Sequence, residues 1–103
     1  MTNYINNINI KSKHTVMDGY KILISNGWRH FRENPNEDTC LEYMNTLELL
    51  SSILYNEILQ AEAIKKAWLE NKEFCRNYCT ESDWNKFNHI IIKNTDRILY
   101  PDF

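Results

Sequence analysis

Glycine and proline are scarce in this sequence, with two of each among 103 residues. Because tight turns depend on these residues, their scarcity excludes a fold of many β-hairpins and favours a few long helices. Most phosphate sites built from backbone amides also need glycine. The sequence contains no glycine-rich phosphate loop, no His-Glu-x-x-His and no Cys-x-x-Cys. We therefore expect that the protein is not an enzyme and has neither catalytic residues nor a cofactor.

Strong net charge and long apolar runs are also missing. The 12 basic and 14 acidic residues leave a net charge of −2, whereas a general nucleic-acid binder usually shows a basic excess. No stretch approaches the roughly 20 apolar residues of a membrane helix, and the N-terminus does not resemble a signal peptide. The odd number of cysteines, three, favours reduced thiols. We expect a cytoplasmic protein with no membrane association.

The overall composition is that of an ordinary globular domain, with 43% hydrophobic and 25% charged residues. The length indicates a single domain over 1–103, with residues 1–13 as an N-terminal arm that docks a few isoleucines on the body. Asn, Ile, Lys and Tyr are frequent, and all four have AT-rich codons. We attribute this bias to the genome of a phage or an AT-rich bacterium, and give the asparagines little structural weight.

Apolar residues spaced three and four apart predict a first helix over 15–33. Thr15 is its candidate cap, and Asn34-Pro35 ends it because proline disfavours the α conformation in the preceding residue. A last helix is predicted over about 82–99, with Thr80 or Ser82 as its cap. A long central helix from 38 to about 70, with Asn36 or Asp38 as its candidate cap, lies between them. The predicted fold is an all-α, small antiparallel bundle of three to four helices.

The central helix raises a problem of length. If it ran unbroken to residue 74 it would span about 55 Å, whereas the radius of gyration of a compact domain of this size is only ~13 Å. We therefore expect either a break near Asn71 or an elongated protein that pairs with a second copy. The first half is apolar over so much of its circumference that several neighbours must cover it; the residues that widen this face are Leu41, Met44, Leu49, Ile53, Tyr55 and Leu59.

The segment from Trp28 to Arg32 carries the densest chemistry. Arg29 and Arg32 share a helix face, and arginine suits bidentate recognition of phosphate or carboxylate. Large aromatic residues are frequent in binding hot spots. The candidate residues for binding a partner or ligand are Trp28, Arg29, His30, Arg32, Tyr43 and Tyr55. The alternative interpretation is that Trp28 and Phe31 belong to the core while the charged residues are solvated.

Two further groups of residues have competing interpretations. Cys75 and Cys79 lie one helical turn apart and, with Cys40 and a histidine (His89 or His14), could bind zinc. Because the second half of a structural-zinc motif is missing, we expect free thiols and no metal. A run of acidic residues either caps a helix or mimics phosphate towards a basic partner; it comprises Glu33, Glu37, Asp38 and Glu42.

The surplus of aromatics, the wide apolar face and the missing catalytic motifs favour a non-enzymatic protein–protein interaction module. In size and helical character the chain resembles small immunity proteins and phage-encoded inhibitors, and we expect an inhibitor, immunity or anti-defence factor that acts by masking a macromolecule. We expect a protein partner, and a homodimer or higher oligomer. Two alternatives stay open: a nucleotide- or nucleic-acid-binding module that uses the arginine face of the first helix, and a small helical enzyme, which would need a pocket of convergent polar groups.

Overall fold

The computed structural model describes residues 19–53 and 57–101. Within these ranges the chain forms four α-helices and no strand. We number them α1 over 19–33, α2 over Glu37–Ser52, α3 over Ile58–Arg76 and α4 over Glu81–Leu99. The predicted all-α bundle is confirmed. The predicted arm over 1–13 and the cap at Thr15 lie outside the described residues.

The prediction of a single long central helix is wrong, because two helices occupy that part of the chain. The α-helical backbone ends at Ser52 and resumes at Ile58. Just before the break, the Ser51 and Ser52 hydroxyls donate to carbonyl oxygens three residues earlier, at 2.6 and 2.8 Å. Such bonds compete with the helical pattern of the backbone. The break expected near Asn71 does not occur there, since α3 continues to Arg76.

The start of α2 is fixed by a reciprocal cap. The Asn36 side chain accepts a hydrogen bond from the Thr39 amide at 2.9 Å, and the Thr39 hydroxyl accepts one from the Asn36 amide at 3.1 Å. Two amides that a helix start leaves unpaired are thereby satisfied. Of the two predicted caps, Asn36 is confirmed; Asp38 instead lies in the first turn with Glu37, where the macrodipole favours negative charge.

Helices α3 and α4 form an antiparallel hairpin. A turn over residues 77–80 joins them, and the Thr80 side chain caps α4 by accepting from the Asp83 amide at 3.1 Å. The Trp84 indole N–H donates to the Lys72 carbonyl at 2.7 Å and the Trp68 indole N–H donates to the Asn88 side chain at 2.8 Å. These pairs run in opposite order along the two helices, which makes the helices antiparallel.

Helix α3 also runs antiparallel to α2. Near the start of α2 the Cys40 thiol donates to the Cys75 carbonyl at 3.4 Å, and near its end the Gln60 side chain donates to the Leu50 carbonyl at 3.1 Å. The second bond satisfies a carbonyl at the C-terminus of α2. The α3 helix itself begins at Ile58, and the side chain of the preceding N-cap residue, Glu57, makes no capping hydrogen bond.

Aromatic rings hold α1 on the other helices. Phe31 is completely buried, and its ring centroid lies 5.1–6.1 Å from the centroids of four other aromatic rings: Trp28, Tyr43, Phe74 and Tyr78. These separations are typical of favourable aromatic pairs. At Gly27 an added Cβ would lie 3.4 Å from the Tyr43 ring, so this glycine marks a close approach between α1 and α2.

Replacing the cap residue should weaken the fold measurably. Asn36→Ala removes the acceptor for the Thr39 amide, and we expect the free energy of unfolding to fall by about 1 kcal/mol. Urea denaturation followed by circular dichroism measures this loss. The matched control is Asn45→Ala, on the exposed side of the same helix, which should not lower stability because alanine is the better helix former. Equal losses in the two variants would contradict the capping role.

Candidate functional site

The Trp28–Arg32 segment divides between core and solvent. Phe31 is buried and Trp28 is half-buried, while Arg29, His30 and Arg32 are exposed. The Arg29 guanidinium donates to the Asn26 side chain at 3.0 Å on the same helix. The aromatic residues of this segment therefore serve the fold, and the part that faces outward consists of the two arginines and the histidine.

Tyr43 was predicted to contact a partner, and its position contradicts this. None of its side chain is exposed. Its ring contacts Trp28 and Phe31, and its hydroxyl accepts a hydrogen bond from the Asn71 side chain at 3.0 Å. Burial raises the pKa of the phenol above its ordinary value. Tyr43 is a core residue. The other predicted tyrosine, Tyr55, lies outside the described residues.

Large aliphatic side chains are exposed on both sides of the α2–α3 break. The exposed fractions are 61% for Leu49, 46% for Ile53, 54% for Ile58 and 67% for Leu59. These four residues belong to the end of α2 and the start of α3, which the bond between Gln60 and the Leu50 carbonyl holds together. We call them the apolar end. Of the wide apolar face predicted from the sequence, Met44 is buried and Leu41 is half-buried.

The outer side of α2 continues from the apolar end as a polar strip. A shallow depression of about 410 Å³ joins Leu49 to Asp38, Glu42 and neighbouring residues. A second, of about 350 Å³, shares Glu42 with the first and extends to Leu23 and His30 on α1. The first of these depressions therefore combines an apolar anchor with exposed carboxylates. We call Asp38 and Glu42 the acidic strip.

A third depression, of about 600 Å³, lies between α3 and the end of α4. Its lining includes Lys65, Lys66 and Tyr100. The Lys65 ammonium donates to the Asp96 carboxylate at 2.6 Å and lies 4.9 Å from the centroid of the Tyr100 ring. The hydrogen bond to Asp96 raises the pKa of Lys65. The Lys65 side chain on α3 therefore joins this helix to α4.

The three cysteines converge where the start of α2 meets the α3–α4 turn. Cys40 and Cys75 are buried, Cys79 is half-buried, and none forms a disulfide. The Cys40 and Cys79 thiols both donate to the Cys75 carbonyl, at 3.4 and 3.3 Å. Contact with the Cys75 thiol, together with burial, raises the pKa of Cys40, and burial raises the pKa of Cys79 to about 12. The predicted free thiols are confirmed.

The zinc alternative finds no support among these residues. His89 is exposed on α4, and His14 lies outside the described residues. Over 19–53 and 57–101 there is no group of three or more His, Cys, Asp or Glu side chains arranged to hold a metal ion. In the same part of the chain, no helix is both long enough and apolar enough to cross a membrane.

Comparison with known proteins gives no relative: no family model, no curated protein and no solved structure matches this chain.

The thiol at Cys79 should make stability depend on pH in alkaline solution. Because the pKa of Cys79 in the folded protein is about 12, against 9.0 ordinarily, the folded state retains its proton longer than the unfolded state. The resulting stabilisation is complete below pH 9 and is lost as the pH rises from 9 towards 12. Urea denaturation between pH 8 and about 11 should show a shallower decline for Cys79→Ala than for the wild type. Parallel declines would contradict this assignment.

Proposed function

We propose that this protein is a non-enzymatic protein–protein interaction module that masks a macromolecular partner, in the manner of an inhibitor, immunity or anti-defence factor. It would act in the cytoplasm of a bacterium or an infected host cell. The observation that carries the proposal is the apolar end. Four large aliphatic side chains, each about half or more exposed, belong to the end of α2 and the start of α3, and the bond between Gln60 and the Leu50 carbonyl joins these two helix ends. Exposed apolar side chains that form a contiguous patch usually mark an interaction site, and the joined helix ends favour such a patch here.

The neighbouring charges define the chemistry of the partner. The first depression on α2 runs from Leu49, in the apolar end, to Asp38 and Glu42 of the acidic strip. A complementary surface would present an apolar pocket for the leucine and isoleucine side chains and basic residues for the two carboxylates. Opposite charges at the rim of an interface speed association and select the partner, whereas buried apolar anchors supply most of the affinity.

The thiol cluster supports a role without catalysis. A cysteine nucleophile must be a thiolate near neutral pH, which requires a lowered pKa. Here burial raises the pKa of Cys79 to about 12, and the pKa of the buried Cys40 is also raised. Both thiols are therefore protonated under physiological conditions. This property suits a structural position better than an activated nucleophile.

The apolar end is tested by charge substitution. Leu49→Glu combined with Leu59→Glu should reduce partner binding at least tenfold, because each glutamate must lose its hydration to enter an apolar pocket. The matched control is Leu69→Glu, which changes another exposed leucine on α3, one outside the apolar end. Tagged wild-type, double-variant and control proteins are incubated with bacterial lysate, and captured proteins are quantified by mass spectrometry. Equal capture by wild type and double variant would contradict the proposal.

Self-association is read in the same samples by light scattering after gel filtration. We propose that the wild type forms a homodimer or higher oligomer through the same apolar end, since obligate homodimer interfaces are the more apolar class. The double variant should then be monomeric while Leu69→Glu keeps the wild-type mass. A monomeric wild type would remove self-association from the proposal and leave the apolar end to a different protein.

The arginine face of α1 gives the second candidate function, binding of a nucleotide or nucleic acid. Arg29 and Arg32 are exposed on one helix face. If phosphate contacts dominate, captured material should absorb strongly at 260 nm and dissociate steeply as salt rises. Arg29→Ala with Arg32→Ala should abolish this capture without loss of helicity, since both side chains are solvated. Capture that is insensitive to salt and to these substitutions would rule out this candidate.

A further inference from the structure

The convergence of the three cysteines is independent of the proposed interaction surface. Cys40 lies in the first turns of α2, and Cys79 lies in the turn between α3 and α4. We propose that Cys40 and Cys79 are a dithiol oxidation site, which forms a reversible intramolecular disulfide when a small-molecule disulfide such as oxidised glutathione reacts with the protein.

The geometry places the two sulfur atoms on either side of the contact between α2 and the α3–α4 turn, beside one shared acceptor. Both thiols donate to one acceptor, the Cys75 carbonyl oxygen, at 3.4 Å from Cys40 and 3.3 Å from Cys79. A disulfide requires Cβ atoms about 3.5–4.5 Å apart. Because both sulfur atoms lie beside the same oxygen atom, side-chain rotation and an adjustment of the turn that carries Cys79 would bring them within bonding distance.

The backbone explains why Cys79, and not Cys75, is the partner that reacts. Cys75 is completely buried within α3. Cys79 is half-buried and lies in the turn, outside both helices. On its N-terminal side the Tyr78 amide donates to the Cys75 carbonyl, and on its C-terminal side the Thr80 carbonyl accepts from the Trp84 amide. A small oxidant can therefore reach Cys79, and this short turn can adjust without breaking a helix.

The reaction proceeds by two exchanges. The Cys79 sulfur attacks the oxidised glutathione, forming a mixed disulfide and releasing one glutathione thiol. The Cys40 sulfur then attacks the Cys79 sulfur of the mixed disulfide, forming the Cys40–Cys79 bond and releasing the second glutathione thiol. The protein loses two electrons and two protons in total, and one molecule of glutathione disulfide is reduced to two thiols.

The surroundings of the thiols make this exchange slow at neutral pH. Burial raises the pKa of Cys79 to about 12, and the carboxylates of Glu37 on α2 and Asp83 on α4 act in the same direction, as does the neighbouring Cys40 thiol. Exchange depends on the thiolate fraction. The site therefore responds to sustained oxidation, and we expect no rapid turnover.

The bond would join the start of α2 to the α3–α4 turn and close a loop of the intervening chain. Loop closure reduces the entropy of the unfolded state, so the cross-linked protein should melt at a Tm higher by at least ~5 °C. A reducing agent should return the Tm to its original value.

The test exposes the full-length protein to oxidised glutathione at about pH 8.5, where the ordinary cysteine titrates. Intact mass should fall by about 2 Da, the mass of two hydrogens, and digestion without reduction should yield a peptide that links Cys40 to Cys79. Cys75→Ala should still form the cross-link. Cys40→Ser should stop at the glutathione adduct, and Cys79→Ser should form neither product.

Peptide mapping on the wild-type protein decides the question even if a variant fails to fold. A linkage of Cys75 to either other cysteine, or a stable glutathione adduct with no cross-link, would overturn the proposal. An unchanged or lowered Tm in the cross-linked protein would show that the bond distorts the bundle, and would equally overturn the claim that the two thiols are positioned to form it.

Discussion

Three of the four helices meet at the side chain of Tyr43. It lies on α2, its ring contacts Trp28 and Phe31 of α1, and its hydroxyl accepts a hydrogen bond from Asn71 of α3. A buried hydroxyl without a partner would cost free energy, so Asn71 must lie within reach of the ring. This requirement fixes the register of α3 against α2, and α4 follows because it packs on α3 through Trp84.

Local signals in the sequence predicted the helix ends well, and long-range constraints decided the rest. Asn34-Pro35, the cap at Asn36 and the cap at Thr80 depend only on neighbouring residues. The break after Ser52 was missed because the apolar pattern continues through it. Two signals were present. The hydroxyls of the adjacent serines bond to the preceding turn, and the length argument called for either an elongated protein or a break, which it placed near Asn71, inside α3.

At the candidate site too, the sequence predicted what depends on residue type and missed what depends on packing between helices. The sequence distinguishes apolar from charged residues. The interpretation that buries Phe31 therefore also places Arg29 and Arg32 at the surface, where they are found. It does not tell which apolar residues neighbouring helices will cover, and Tyr43 was therefore misassigned to a binding surface. Asparagines treated as a genomic bias serve the structure in several places; Asn36 caps α2, and Asn71, Asn88 and Asn94 bond to buried or half-buried side chains.

The positions of the three tryptophans give the molecule its own optical reporters. Trp68 and Trp84 lie with ring centroids 6.1 Å apart, and both indole N–H groups donate to protein acceptors within the α3–α4 hairpin. Trp28 lies instead among the rings that hold α1 in place. Indole emission and near-ultraviolet dichroism depend on such surroundings. With Trp68 and Trp84 changed to phenylalanine, the remaining signal would follow the docking of α1 alone, separately from the integrity of the hairpin.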